Sequence, residues 1–175
     1  MKTKKKSAMK TKAKKASPKK VNAKKIAAVK TRTTTINPYL TFTGNCEEAF
    51  NFYKSVFGGK FKQVSRFGEM PSSPGYELPD NYKEKILHIS LPISKETILM
   101  GSDSNPAMGQ VTIGQHLSLS VDAASKSEAD RISKSLSKGG KITMPMADMF
   151  WGTYFGMLID KFGITWMVNY DPKGV

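Results

Sequence analysis

Phe57-Gly58-Gly59-Lys60 closes one amphipathic stretch of this chain, and Lys138-Gly139-Gly140-Lys141 closes another 81 residues further on. Paired glycines after apolar residues at helical spacing are a stop signal, because glycine enters the left-handed backbone region without a Cβ penalty. Upstream of the first pair, Ala49, Phe52, Tyr53, Val56 and Phe57 recur at that spacing, and Asn45 with Glu48 predicts the N-cap. Upstream of the second, Ala129, Ile132 and Leu136 face inward on a helix over 126–138. Each helix follows a stretch that alternates apolar and polar residues, 36–43 and 116–122, which predicts a strand. Strands are predicted after each helix too, at 60–67, 85–91 and 97–101, then at 141–147, 153–160 and 164–169. A strand-helix-three-strand unit therefore occurs twice, and a repeat constrains a fold more than any single element. One unit alone leaves one sheet face bare, so pairing two is expected to enclose the bare faces around a cavity. The predicted class is α+β: paired βαβββ modules forming a curved sheet around a cavity. The modules span about 36–103 and 114–170, within a domain over 36–171.

Residues 1–35 read differently. The first 32 hold thirteen Lys, one Arg and no acid, and the remaining 143 balance fourteen basic against fourteen acidic side chains. A segment of Lys, Ala, Thr, Ser and Pro cannot bury enough surface to offset its conformational entropy, so residues 1–35 are expected to be a disordered tail. Its charge predicts non-specific binding of nucleic acid through counterion release. Lys14, Lys15, Ser17, Pro18, Lys19, Lys20, Lys24 and Lys25 are the candidate contacts. Ser17-Pro18-Lys19-Lys20 resembles the Ser-Pro-Lys-Lys units of linker-histone tails.

The lone cysteine, Cys46, excludes an intrachain disulfide and a Cys-rich zinc site, and its place in a first helical turn predicts packing. No stretch approaches the ~20 apolar residues of a membrane-spanning helix. Ile26-Ala27-Ala28-Val29 falls short of the ~7 apolar residues an export signal needs. The expectation is a cytoplasmic protein with no membrane partner, possessing a tail able to associate with nucleic acid.

Alternation nominates the cavity wall. Over 85–91, Leu87, Ile89 and Leu91 suit the helix-covered face, leaving Ile86, His88 and Ser90 toward the cavity. Over 116–122, Leu117, Leu119 and Val121 are covered, leaving His116, Ser118 and Ser120 opposite. Tyr39 and Thr41 join from the first strand. Asp103, at a strand end, and the late aromatics Trp151 and Tyr154 complete the candidate ligand-binding set. His88 and His116 are the candidate catalytic groups, since imidazole serves as acid or base near neutrality. No Ser stands in a nucleophile elbow.

One set of motifs comprises Asn37-Pro38-Tyr39-Leu40, Gly44-Asn45-Cys46-Glu47-Glu48-Ala49 and Asn51-Phe52-Tyr53-Lys54-Ser55-Val56-Phe57-Gly58-Gly59. It continues through Lys85-Ile86-Leu87-His88, Met100-Gly101-Ser102-Asp103, Phe150-Trp151-Gly152, Asp160-Lys161-Phe162-Gly163 and Trp166-Met167. In these motifs the chain resembles the vicinal-oxygen-chelate superfamily of glyoxalase, bleomycin-resistance and dioxygenase proteins, and within it the PhnB-like branch. The resemblance implies paired βαβββ modules, a homodimer and, in glyoxalase-type members, a divalent ion held by four strands. At those positions His116 is a ligand type, whereas Asn37 or Pro38, Leu99 to Gly101, and Met167 are not, so no metal and no cofactor is expected. Branch members are often labelled demethylubiquinone methyltransferases, yet the Gly-rich loop such a nucleotide cofactor needs after the first strand is missing.

Three functions follow as expectations. The first is a domain that binds a small organic ligand in the inter-module cavity without a metal. The second is a superfamily enzyme of lyase, isomerase or dioxygenase type using His88 or His116. The third is a DNA-associated protein whose domain dimerises. The residues name neither the ligand nor a reaction.

Overall fold

Both halves of the chain build the same sheet in the same strand order. A computed structural model describes residues 34–71, 75, 77–105, 111–112, 114 and 116–174. The expected tail, including Lys14, Lys15, Ser17, Pro18, Lys19, Lys20, Lys24 and Lys25, lies outside the described residues. The first half runs β1 (Tyr39–Phe42), α1 (Cys46–Phe57), β2 (Gln63–Arg66), β3 (Ile86–Pro92) and β4 (Ile98–Asp103). The second runs β5 (Leu119–Asp122), α2 (Lys126–Leu136), β6 (Lys141–Asp148), β7 (Tyr154–Ile159) and β8 (Thr165–Tyr170). The sheets order as β1-β4-β3-β2 and β5-β8-β7-β6, each with its first strand parallel to its last. Among the described residues the fold is α+β, two mixed four-stranded sheets with one α-helix apiece.

The glycine pairs close the helices by different means. Gly58 and Gly59 take φ of 79° and 82°, the left-handed region glycine enters freely. In the second pair only Gly139 does so, at 74°; a Cβ on Gly140 would run into the backbone of Ile159 and Asp160.

α1 packs on β3 and β4, α2 on β7 and β8, and the helices touch one another. One core therefore spans both modules: Phe50, Tyr53, Ile86, Ile89 and Leu91 are fully buried with Leu136, Leu158 and Val168. Trp166 meets Tyr53 edge-on and Phe57 at a tilt, both from the other half, with centroids 5.5 and 5.6 Å away. Polar ties cross the same seam. Tyr53 donates to Asp160 at 2.8 Å, Lys161 pairs with Glu48 at 2.7 Å, and Arg131 donates to the Val56 carbonyl at 2.9 Å.

Several local expectations give way to long-range ones. Asn45 makes no side-chain cap; Asp103 Oδ1, at the end of β4, accepts instead from the amides of Gly44 and Cys46, both at 2.9 Å. Ile86, expected toward the cavity, is fully buried in the core. The β2–β3 pairing slips between Ser65 and Arg66, which face His88 and Ile86. That bulge leaves Leu87 as the extra residue and reverses parity on either side of it. The strand expected from His116 begins only at Leu119, where Trp166 supplies its first partner.

Candidate functional site

The helix-covered faces meet at the seam, so each sheet keeps an open face. On the first sheet, Tyr39 pairs with Met100 and Thr41 with Ser102, while Ser90 stands between Met100 and Gln63. His88 opposes Ser65 on the same face, since side chains two residues apart share a side. His88 Nδ1 lies 3.5 Å from the Tyr39 hydroxyl, and their rings are tilted with centroids 5.8 Å apart. That distance is at the limit of a hydrogen bond, and such contacts tighten when a ligand orders the pair. The tautomer of His88 decides which partner donates.

A hollow of about 200 Å³ opens beside this pair, where β1, the edge of the first sheet, meets the second module. Tyr39, Leu40 and Thr41 form one wall. Leu119 and the start of β8, at Ile164 and Thr165, form the other, and Val111, Thr112 and Leu117 of the connecting chain contribute as well. Tyr39 belongs at once to the hollow and to the His88 contact. Alternation along the first strand found Tyr39 and Thr41. It missed Leu40, Ile164 and Thr165, because a wall built across a seam carries no periodicity of its own.

The other predicted residues divide among different places. His88 is half-buried and His116 is exposed on a bend before β5; neither lines the hollow. Where a Cβ on Gly114 would stand, the His116 ring approaches to 2.8 Å, so that ring folds back over its own loop. Ser90 is buried, Ser118 half-buried and Ser120 exposed opposite Met167. Asp103 is buried and committed: besides its two amides at α1, Oδ2 accepts from the Ile86 amide at 2.9 Å. Tyr154 turns toward α2, donating to Asp130 at 2.8 Å beneath the Lys126 ammonium. Trp151 is exposed on the β6–β7 turn, against Phe150 at 4.8 Å, with its indole N–H on Thr153 Oγ1 at 2.7 Å.

Two buried groups have acidities shifted by the fold. Burial pushes the Cys46 thiol well above its ordinary value, aided by the charge of Asp103, so it is an inert packing residue. Burial also raises the Tyr53 hydroxyl, and the Asp160 carboxylate reinforces the effect.

The model of the 3-demethylubiquinone-9 3-methyltransferase family matches residues 34–169. The chain belongs to this family. Protein YjdN of Escherichia coli (strain K12) is 34% identical over 143 residues, covering 77% of this chain and 93% of YjdN. Among solved structures, protein PA1353 from Pseudomonas aeruginosa is 39% identical with a TM-score of 0.70, covering 79% of this chain and 98% of its own. A putative 3-demethylubiquinone-9 3-methyltransferase, PhnB protein, from Bacillus cereus is 28% identical with a TM-score of 0.62, covering 78% and 99%. The PhnB-like resemblance read from the motifs thus holds across the folded chain.

Within this family member, the positions that would hold a divalent ion do not fit one. Asn37 Oδ1 already accepts from the Ile98 amide at 2.8 Å, Leu99 is in the core, and Met167 offers only a thioether. Among the described residues no three His, Cys, Asp or Glu side chains gather. A nucleotide methyl donor fits no better at the first strand-helix turn. The Gly44 and Cys46 amides that would cradle an anionic group are bonded to the Asp103 carboxylate, which would repel it.

Proposed function

We propose that this chain binds a small organic molecule in the hollow between its two modules. The observation that carries the reading is the hollow itself, walled by both modules and bordered by the Tyr39 hydroxyl. Its volume lies below the roughly 300–1,000 Å³ of sites for drug-sized ligands, which favours a compact occupant. Fragment screening by thermal shift tests it, using the full chain and a Thr41→Trp variant that fills the hollow from an exposed position. Fragments that stabilise the full chain should lose that effect in the variant. Equal stabilisation of both proteins would refute the reading.

A second reading, acid-base chemistry on the bound molecule, is favoured by the contact between Tyr39 and His88. On this reading His88→Ala keeps ligand stabilisation while abolishing turnover. The exposed apolar side chains of Met144, Phe150 and Trp151 favour a homodimer, which light scattering at micromolar concentration would detect. The net charge of +14 in residues 1–32 favours non-specific attachment to nucleic acid.

A further inference from the structure

We infer that the hollow selects neutral ligands over charged ones, a conclusion that rests on its being a binding site. Among the described residues, none that lines it carries a formal charge: Tyr39, Leu40, Thr41, Leu119, Ile164 and Thr165 offer hydrocarbon, one phenol and hydroxyls. This neutrality is marked in a chain of which 24% is charged. From Ser104 to Val121, between the last strand of one module and the first of the next, eighteen consecutive residues include no Asp, Glu, Lys or Arg.

Behind the wall stands a buried carboxylate. Asp160 Oδ1 accepts from the Ile164 amide at 3.0 Å and the Phe162 amide at 2.8 Å. Its Oδ2 takes the Tyr53 hydroxyl and the Trp166 indole N–H, both at 2.8 Å. An anion in the hollow would meet this negative charge through a wall without a cationic partner. A cation would fare little better, because four donors already occupy the oxygens of the carboxylate. Either charge would lose its hydration without receiving a counter-charge. A neutral molecule meets no such cost, and its polar atom finds the Tyr39 hydroxyl. That hydroxyl can serve a carbonyl or a hydroxyl group, since His88 Nδ1 can accept its proton in one tautomer or donate to its oxygen in the other. The ligand class is therefore a compact, largely apolar molecule with one neutral carbonyl or hydroxyl.

Three aromatic probes of similar size separate the alternatives: acetophenone, benzoate and benzylamine. Each is titrated into the isotope-labelled full chain while the backbone amide signals of Leu40, Leu119 and Ile164 are followed. Acetophenone should shift these signals and bind at least about tenfold more tightly than either ion. Tyr39→Phe should weaken acetophenone about three- to tenfold. Thr41→Lys, a change at an exposed position, should reverse the order and favour benzoate. If benzoate or benzylamine bound the unaltered chain as well as acetophenone, selection by neutrality would be wrong while the binding site stood. If no probe moved the three amides, the hollow would not be a binding site and both readings would fall.

Discussion

The Tyr53 hydroxyl of α1 reaches across the module boundary to donate to Asp160 Oδ2 at 2.8 Å, beside the Trp166 indole on the same oxygen. All three side chains are buried, so each hydrogen bond is made where water cannot replace it. Tyr53→Phe should cost about 1 kcal/mol, since the carboxylate keeps three donors. Asp160→Ala should cost about 3–5 kcal/mol, because four donors lose their acceptor together. Urea unfolding of both variants measures the difference, and similar losses would show that the carboxylate is not the centre of the network.

Alkaline pH should lower the stability of this protein in two steps. Folding raises the pKa of Cys46 and of Tyr53, so their contribution is complete below the ordinary values, near 9 for the thiol and 10 for the phenol. Above those values the unfolded chain releases protons that the folded one retains, and stability falls by about 1.4 kcal/mol per pH unit for each group. Cys46→Ala should remove the decline between pH 9 and 10, and Tyr53→Phe the steeper part above 10. Unfolding curves of unchanged slope in both variants would contradict this assignment.

Asp103 does at long range what Asn45 was expected to do locally. Replacing it with Ala orphans the amides of Gly44, Cys46 and Ile86, and should cost roughly 2–4 kcal/mol. Asn45→Ala, whose side chain caps nothing, should change stability by less than about 0.5 kcal/mol. Thermal melts of the pair would settle which residue starts the helix.

Gly101 allows β4 to lie under α1. A Cβ there would stand 2.6 Å from a ring carbon of Phe50 and 2.7 Å from the Leu40 carbonyl oxygen, closer than real contacts allow. Gly101→Ala should cost about 1–3 kcal/mol by overpacking, and Phe50→Leu in the same chain should recover part of that loss.

Retention of the full chain on duplex DNA should fall steeply with salt, by about 10³–10⁵ in affinity between 50 and 200 mM if six to ten phosphates are met. A chain lacking residues 1–33 should not be retained, and its melting temperature should be unchanged. Retention after truncation would move the affinity into the folded domain.

The repeat, both helices and the order of elements along the chain could be read from the sequence because amphipathic periods and glycine stops are local signals. What escaped it was set by partners distant in sequence. Phe50, fully buried, lay outside the helical pattern traced through Ala49 and Phe52, and its place is fixed by Gly101 and Phe42 on the sheet. Ile86 changed sides because of a bulge that no alternation rule announces. Residues 116–118 alternate like a strand, yet the β5–β8 ladder starts only at Leu119. Around the hollow, Tyr39 and Thr41 share the parity of the first strand, whereas Ile164 and Thr165 join them only through the packing of one module on the other.

The aromatic seam also bears on how alike the two repeats are. At the 81-residue offset Tyr53 falls on Lys134, so the second copy has no phenol to offer a carboxylate like Asp160. The halves have diverged into unlike complements, each lacking what it would need to pair with itself. Fragments produced separately from a cut between Ser104 and Leu117 should therefore reassemble with one another and not with their own kind, as a heterodimer of two unlike halves.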